Sequence, residues 1–282
     1  MAERSIERRL LEALQDVPVI DAHEHLPPEC VRLNSPVDFS TLFSHYTQTD
    51  LEAAGMTQEQ YDAFVSAEME LDDKWRLFEP FWERIRYGSY SRPALIAARE
   101  FYGCQDISKD TYRVLSQRMQ AANTAGIYKR VLTEACNIRL ALTQVGYAPE
   151  QDRDLLVPLL PLGGWPTAAG LLKDREYGNC PTLDELLAKM REVFAGWRDR
   201  DGVVGMKMMS HAIGDPSRED AQRVFDGLGT ATQRDTAPLD WFLLHEGMEI
   251  CGERQMPVAV HCGIIWDNWN DCYTTHPRHM IP

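Results

Sequence analysis

The sequence lacks three features that would each define a class of protein. Its seven cysteines are odd in number, irregularly spaced and without a CxxC pair, which indicates neither a disulfide framework nor a thiolate zinc site. The N-terminal stretch has no apolar core of the kind found in signal peptides. No apolar run approaches the roughly 20 residues that cross a bilayer. Free thiols fit a reducing compartment, so we expect a cytoplasmic protein.

Positive charge is also scarce, because 29 basic residues stand against 43 acidic ones and give a net charge of −14. This balance argues against partners that present a phosphate backbone or an anionic membrane surface. We therefore expect a small-molecule substrate, with neither nucleic acid nor membrane as a partner. Self-association into a homo-oligomer is left open.

Apolar patterning predicts alternating strands and helices. A short amphipathic helix covers residues 5–15, and a strand from Val17 to His23 follows it. Residues 36–124 are predicted to be mainly helical and are rich in aromatic side chains. Further short apolar runs occupy 127–133, 155–160, 203–209 and 257–261. Helices separate the later runs, since Thr182 and Glu185 form a capping-box pattern and Ser217 opens another helical stretch.

Strands that alternate with helices predict a parallel sheet. Polar residues collect at the carboxyl ends of these strands, which is typical of a barrel with its site on that face. An open doubly wound sheet is the rival, but no glycine-rich phosphate loop follows the first strand. We predict an α/β fold of the (β/α)8 TIM-barrel type, forming one domain over 1–282 with a helical insertion at about 36–124. About five of the eight strands are found, so a C-terminally truncated barrel is expected.

The first candidate site is the segment Asp21-Ala22-His23-Glu24-His25 at the end of the first strand. Side chains at i and i+2 of a strand share a face, so both imidazoles point the same way. Neutral imidazole is a favoured ligand of zinc and similar ions. Asp21 could orient one histidine from outside the ligand set or lie buried beneath the site. The alternative for the pair is a role as ordinary surface-loop histidines.

Two later strands end in residues that suit the same site. His261 closes the run Val258 to His261 and precedes a glycine, which places it as a third ligand; a hydrogen-bonded core histidine is the alternative. Lys207 closes the run that begins at Val203, and a buried lysine is costly unless its amine finds a partner. Lys207 is the candidate catalytic residue. It could be a carboxylated metal-bridging ligand, a contact to an anionic substrate group, or a structural lysine that reaches water.

Two residues in the loops after these strands are candidate substrate contacts. His211 lies in the loop after the strand that ends near Lys207, where lining a pocket and an ordinary loop role are equally open. Trp266 comes after the His261 strand, and there aromatic pocket lining competes with a plain surface position.

Together, DAHEHL at 21–26, GMK at 205–207 and VAVHCG at 258–263 resemble the amidohydrolase superfamily. They resemble in particular its amidohydrolase-related (amidohydrolase 2-like) branch of metal-dependent hydrolases and decarboxylases. The resemblance spans about residues 15–282, and the order of the motifs is more specific than any one of them. It implies that His23, His25 and His261 bind a divalent metal ion, zinc first, with manganese or another ion as alternatives.

The same resemblance implies further features. The family's strand-six histidine and strand-eight aspartate have no match before Pro282. Lys207 occupies the place that holds a carboxylated lysine in two-metal members. The helical insertion is similar to a lid, in which Arg86 and Tyr87 are the candidate substrate contacts, whereas Trp82 is expected to pack between helices.

The function implied is metal-dependent hydrolysis, with a metal-activated water attacking a C–N or C–O bond of a small, carboxylate-bearing substrate. Metal-dependent decarboxylation is the first alternative, because fold and ligands do not determine the reaction. The second alternative is a fragment or degenerate barrel without catalytic activity.

Overall fold

The computed structural model describes residues 5–144, 152–162, 179–209, 213–229, 235–263, 272–273 and 275–280. The chain divides into two compact units. One contains the chain up to Pro28 together with the described residues from Ile138 onward, and the other is formed by Glu29–Asn137.

The first unit is built on five parallel strands. They are β1 (Val19–Glu24), β2 (Ile138–Thr143), β3 (Leu156–Pro161), β4 (Gly205–Met209) and β5 (Val258–His261). Their order in the sheet is the order in the sequence, so β1 and β5 lie at opposite edges. Every neighbouring pair is parallel. The predicted fold class is confirmed, since the sheet is curled, five-stranded and all-parallel with helices between its strands, as in an incomplete (β/α)8 barrel.

Helices of this unit cover the outer face of the sheet. They are α8 (Leu183–Asp199), α9 (Arg218–Asp226) and α10 (Ala237–Glu253), and α1 (Ile6–Gln15) precedes β1. Side chains of the outer face pack against α8 to α10 in one hydrophobic cluster, which includes Leu160, Met206, Met208, Leu186, Phe194 and Leu243. The apolar side chains of α1 are all exposed. No helix among the described ranges is long and apolar enough to cross a membrane.

The second unit is helical, as predicted for residues 36–124. Its α-helices are α2 (Glu29–Asn34), α3 (Tyr46–Ala53), α4 (Gln58–Val65), α5 (Leu71–Ile85), α6 (Ser91–Glu100) and α7 (Tyr112–Ala122). A 3-10 helix spans Phe39–Phe43 and a π-helix spans Lys129–Ala135. A dense aromatic cluster forms its core, including Phe39, Phe43, Phe64, Trp75, Phe78 and Trp82. Trp82 packs there as expected and donates a 2.8 Å hydrogen bond to the Ile107 carbonyl.

The predicted strand at 127–133 is wrong, because this stretch begins the π-helix and the second strand starts only at Ile138. The reason is a contact distant in sequence. The Glu29 carboxylate accepts hydrogen bonds from the backbone N–H groups of Gly126 (2.7 Å) and Tyr128 (2.9 Å), at the helix start where such donors need a partner from outside the helix. Asn137, at a φ of 53°, then ends the helix in the left-handed conformation that asparagine tolerates.

Candidate metal centre at the carboxyl ends of the strands

The register of the strands defines which side chains share the inner face of the sheet. Lys207 pairs with Ala259, and Met209 pairs with His261. Since neighbouring residues in register share a face and side chains alternate along each strand, Lys207 and His261 lie on the same face. This is the face opposite the one that carries Met206 and Met208 against the helices. Both residues lie at or near the carboxyl ends of their strands.

An irregularity in β1 directs the first histidine toward this face. Asp21 pairs with Ala141 and Glu24 with Thr143, so three steps along β1 match two steps along β2. An extra residue of this kind re-aims the side chains around it and is common beside functional sites. His23 lies within the irregular stretch, and its backbone N–H donates a 3.2 Å hydrogen bond to Oδ1 of Asp21.

The imidazoles of His23 and His25 face each other. Their Nε2 atoms are 3.3 Å apart, and their ring centroids are separated by 5.2 Å. Two nitrogens bound at 2.0–2.1 Å to one tetrahedral zinc ion are about 3.3 Å apart. The separation in this chain therefore fits two ligands of a single ion.

The third predicted ligand lies beside the pair. The ring of His261 meets the ring of His23 edge-on, with centroids 5.7 Å apart. Strands β1 and β5 are the two edges of the sheet, and in a flat sheet they would be about 19 Å apart at the usual strand spacing. The contact therefore depends on the curl of the sheet, which brings its two edges together on the inner side.

Lys207 approaches the pair from β4. Its Nζ is 3.2 Å from Nδ1 of His23, and the residue is only 7% exposed. Burial lowers the pKa of the amine. The tautomer of His23 determines which of the two nitrogens donates in this contact. Lys207 thus contacts a predicted ligand from the side away from the pair.

Two carboxyl groups of β1 accept hydrogen bonds from backbone N–H groups of the histidines, Asp21 from His23 at 3.2 Å and Glu24 from His25 at 3.3 Å. Burial first, then a hydrogen bond to Asp21 and the charge of Asp21, raise the pKa of Glu24 to about 7, while the backbone N–H of His25 acts in the opposite direction. The Glu24 carboxyl is therefore partly protonated near neutral pH. Glu24 lies within the predicted segment, but no role of its own was predicted for it. Its position between two histidines was the signal available.

The other predicted substrate contacts belong to the helical unit or to segments outside the described residues. Arg86 belongs to the helical unit, where its guanidinium pairs with Asp106 at 2.7 Å and with Glu83 at 3.0 Å. Tyr87, beside it, is 91% exposed, and the Arg86 guanidinium carbon is 5.7 Å from its ring centroid. His211 and Trp266 fall outside the described residues.

As the described side chains stand, no group of three or more His, Cys, Asp or Glu residues is arranged to hold a metal ion. The candidate ligands are His23 and His25, whose Nε2 atoms are 3.3 Å apart, and His261, whose ring contacts the ring of His23. Neutral imidazole is a common ligand of zinc, copper, iron and nickel. The chemistry of the side chains therefore fits a divalent ion, and the spacing of His23 and His25 fits it as well.

Comparison with known proteins gives structural relatives only, since no family model and no curated protein sequence matches this chain. Glucuronate isomerase from Caulobacter crescentus is similar over 90% of this chain and 60% of its own, at 18% identity and a TM-score of 0.65. Uronate isomerase from Thermotoga maritima matches over 90% and 61%, at 14% identity and a TM-score of 0.67. The uronate isomerase from Bacillus halodurans C-125 covers 92% and 61%, at 15% identity and a TM-score of 0.58.

These similarities are too low in identity to carry more than the fold. The chain spans about 60% of the length of the solved proteins that it matches. Over the matched region it shares their fold.

Proposed function

We propose that this chain forms the metal-binding part of an enzyme that acts on a small, carboxylate-bearing substrate. The observation that carries the proposal is the 3.3 Å separation of the two Nε2 atoms at the end of β1. Support comes from the convergence of His261 and Lys207 on the same histidine from two other strands. Sites at the carboxyl ends of strands are the rule in barrels of this type.

His23, His25 and His261 are the residues that would hold the ion. A bound divalent ion would polarise a substrate carbonyl and lower the pKa of a coordinated water. Lys207 orients His23 through Nδ1, and the tautomer of a ligand histidine is commonly set by such a contact. Asp21 and Glu24 form a hydrogen-bonded carboxyl pair beside the ligands that can hold or pass a proton.

Isomerisation of a uronate is the first candidate reaction, because the structural relatives named above are described as uronate or glucuronate isomerases. Conversion of an aldose to a ketose moves hydrogen between two adjacent carbons and needs no oxidant. It requires acid–base groups beside two neighbouring oxygens. The carboxyl pair of β1 and the Lys207 amine supply polar groups of this kind next to His23.

Metal-dependent hydrolysis is the second candidate. It is favoured by the motif order of the sequence, with an HxH on the first strand and a histidine that closes β5. Decarboxylation would use the same ligands, since a shared fold and ligand set do not determine the reaction.

The metal assignment is tested by elemental analysis after dialysis against Zn²⁺ or Mn²⁺. We expect about one ion per wild-type chain and a loss of at least tenfold in affinity for His23→Ala/His25→Ala, which lacks both paired ligands. His276→Ala is the matched control, because this exposed imidazole accepts a hydrogen bond from a backbone N–H of its own turn. Full metal retention by the double variant would end the ligand assignment.

The reaction is tested by following D-glucuronate with proton NMR in the presence of the metal-loaded chain. A ketose product that disappears in the His23→Ala/His25→Ala variant supports isomerisation. Cleavage of an amide or ester analogue, without ketose formation, would replace isomerisation by hydrolysis. Release of carbon dioxide from the carboxylate would identify a decarboxylase.

A further inference from the structure

The strand that carries His261 is an edge strand among the strands that the structure describes. Strand β5 pairs with β4, where Met209 lies beside His261, and β5 is the last strand of the sheet. All four of its residues are partly exposed. Among the described strands, β5 is paired along one side only, and residues after it add further contacts to its carboxyl end.

Two reciprocal hydrogen bonds join Gly263, two residues after His261, to Thr275. The backbone N–H of Gly263 donates to the carbonyl of Thr275 at 3.0 Å. The Thr275 hydroxyl donates in return to the carbonyl of Gly263 at 2.5 Å. Thr275 is 4% exposed, which protects both bonds from exchange with water.

Gly263 has the conformation that this arrangement needs. Its φ is +86°, a region that glycine adopts without strain and other residues rarely enter. The chain therefore turns sharply immediately after β5. Both backbone polar groups of Gly263 are hydrogen-bonded to one buried residue, Thr275. The carboxyl end of β5 is therefore held by its pairing with β4 and by the hydrogen bonds between Gly263 and Thr275.

From this geometry we infer that Thr275 is a positioning residue for the metal centre: its hydrogen-bonded pair with Gly263 holds the carboxyl end of β5 and thereby the imidazole of His261. The inference rests on the proposed function, because it takes His261 as the third ligand. Thr275 acts in this inference through Gly263 and His261, and not as a ligand. Groups that orient ligands in this way typically change metal affinity by 10–100-fold when they are removed.

The test compares Thr275→Val, which replaces the hydroxyl by a methyl group of similar size, with Thr275→Ser, which keeps the hydroxyl. Co²⁺ is the probe, since its visible absorption bands report the number and geometry of its ligands. We expect Thr275→Val to weaken Co²⁺ binding by about tenfold and to alter the bands, while Thr275→Ser binds as wild type does. Should Thr275→Val fail to fold, Thr275→Ala removes the same hydroxyl without adding bulk.

Comparison with the histidine variants separates this inference from the proposed function. Loss of Co²⁺ binding in His23→Ala/His25→Ala, with wild-type affinity and bands in Thr275→Val, overturns the role of Thr275 alone. An equal loss in Thr275→Ser and Thr275→Val also overturns it, because the hydroxyl is then irrelevant. Wild-type Co²⁺ binding by His261→Ala would contradict the premise that His261 is a ligand. Wild-type Co²⁺ binding by His23→Ala/His25→Ala would contradict the proposed metal centre itself.

Discussion

At the scale of single residues, a few positions limit how closely the strands approach. Gly205 begins β4, and a Cβ atom added there would lie 2.6 Å from the carbonyl oxygen of Pro257 and 3.0 Å from a methyl carbon of Leu159. That same Pro257 carbonyl accepts the backbone N–H of Met206 at 2.9 Å. The absence of a side chain at Gly205 therefore permits the pairing that brings β5 beside Lys207.

We predict that Gly205→Ala destabilises the protein by about 1–3 kcal/mol, as overpacking in a buried site does. Gly252→Ala is the matched control, because nothing lies within 4 Å of its added Cβ, and in helix α10 alanine should stabilise by about 0.5 kcal/mol. Urea unfolding followed by circular dichroism measures both. Equal stability of the two variants would contradict the close approach at Gly205.

Prediction from sequence succeeded for single residues where the signal was local. The i, i+2 spacing of His23 and His25 predicts that both imidazoles point the same way, and their Nε2 atoms lie 3.3 Å apart. The contact between Lys207 Nζ and His23 Nδ1 was not predictable, because it depends on the bulge in β1 and on the curl of the sheet. Neither feature has a short-range pattern in the sequence.

At the scale of elements, the ends of helices were the most predictable features. The capping box of Thr182 and Glu185 opens α8, and that of Ser217 and Asp220 opens α9. Both partners of such a box lie within four residues of each other, so the sequence displays the whole interaction. The helix that replaced the predicted strand at 127–133 is different, because its cap is Glu29, far away in the chain.

Thr182→Ala should cost about 1 kcal/mol of unfolding free energy, since it removes the side chain that accepts the backbone N–H of Glu185. Thr182→Ser is the control and should stay close to wild type, because serine provides the same oxygen. Thermal unfolding of the three proteins at one protein concentration is the measurement. A midpoint for the alanine variant equal to that of wild type would rule out a contribution of the cap.

At the scale of the whole molecule, apolar burial is uneven across the first unit. The outer face of the sheet and α8 to α10 form a closed core, whereas α1 exposes Ile6, Leu10, Leu11 and Leu14. On β1, Ile20 is 59% exposed, and its register with Leu140 places it on the inner face of the sheet. Among the described residues of this unit, the main cluster of buried apolar side chains therefore lies in its outer layer.

A pair of matched truncations tests this distribution. Leu243, fully buried in α10, should lose about 2–5 kcal/mol of unfolding free energy when it is replaced by alanine. Leu14→Ala removes the same atoms from an exposed site on α1 and should change the unfolding free energy by less than about 0.5 kcal/mol. Denaturant titration separates the two expectations. A large loss at Leu14 would show that α1 packs in solution.

The curl that brings β5 beside β1 has a consequence for the way the chain is held together. An ion shared by His23 and His261 would join β1 to β5. It would therefore be a cross-link between two residues that are far apart in the chain. Closing such a long loop removes more freedom from the unfolded chain than closing a short one. A higher metal concentration would then stabilise the curled form of the sheet, because the ion binds only when β1 and β5 are close. Metal would in this way affect the rigidity of the sheet as well as the chemistry at the carboxyl ends of its strands.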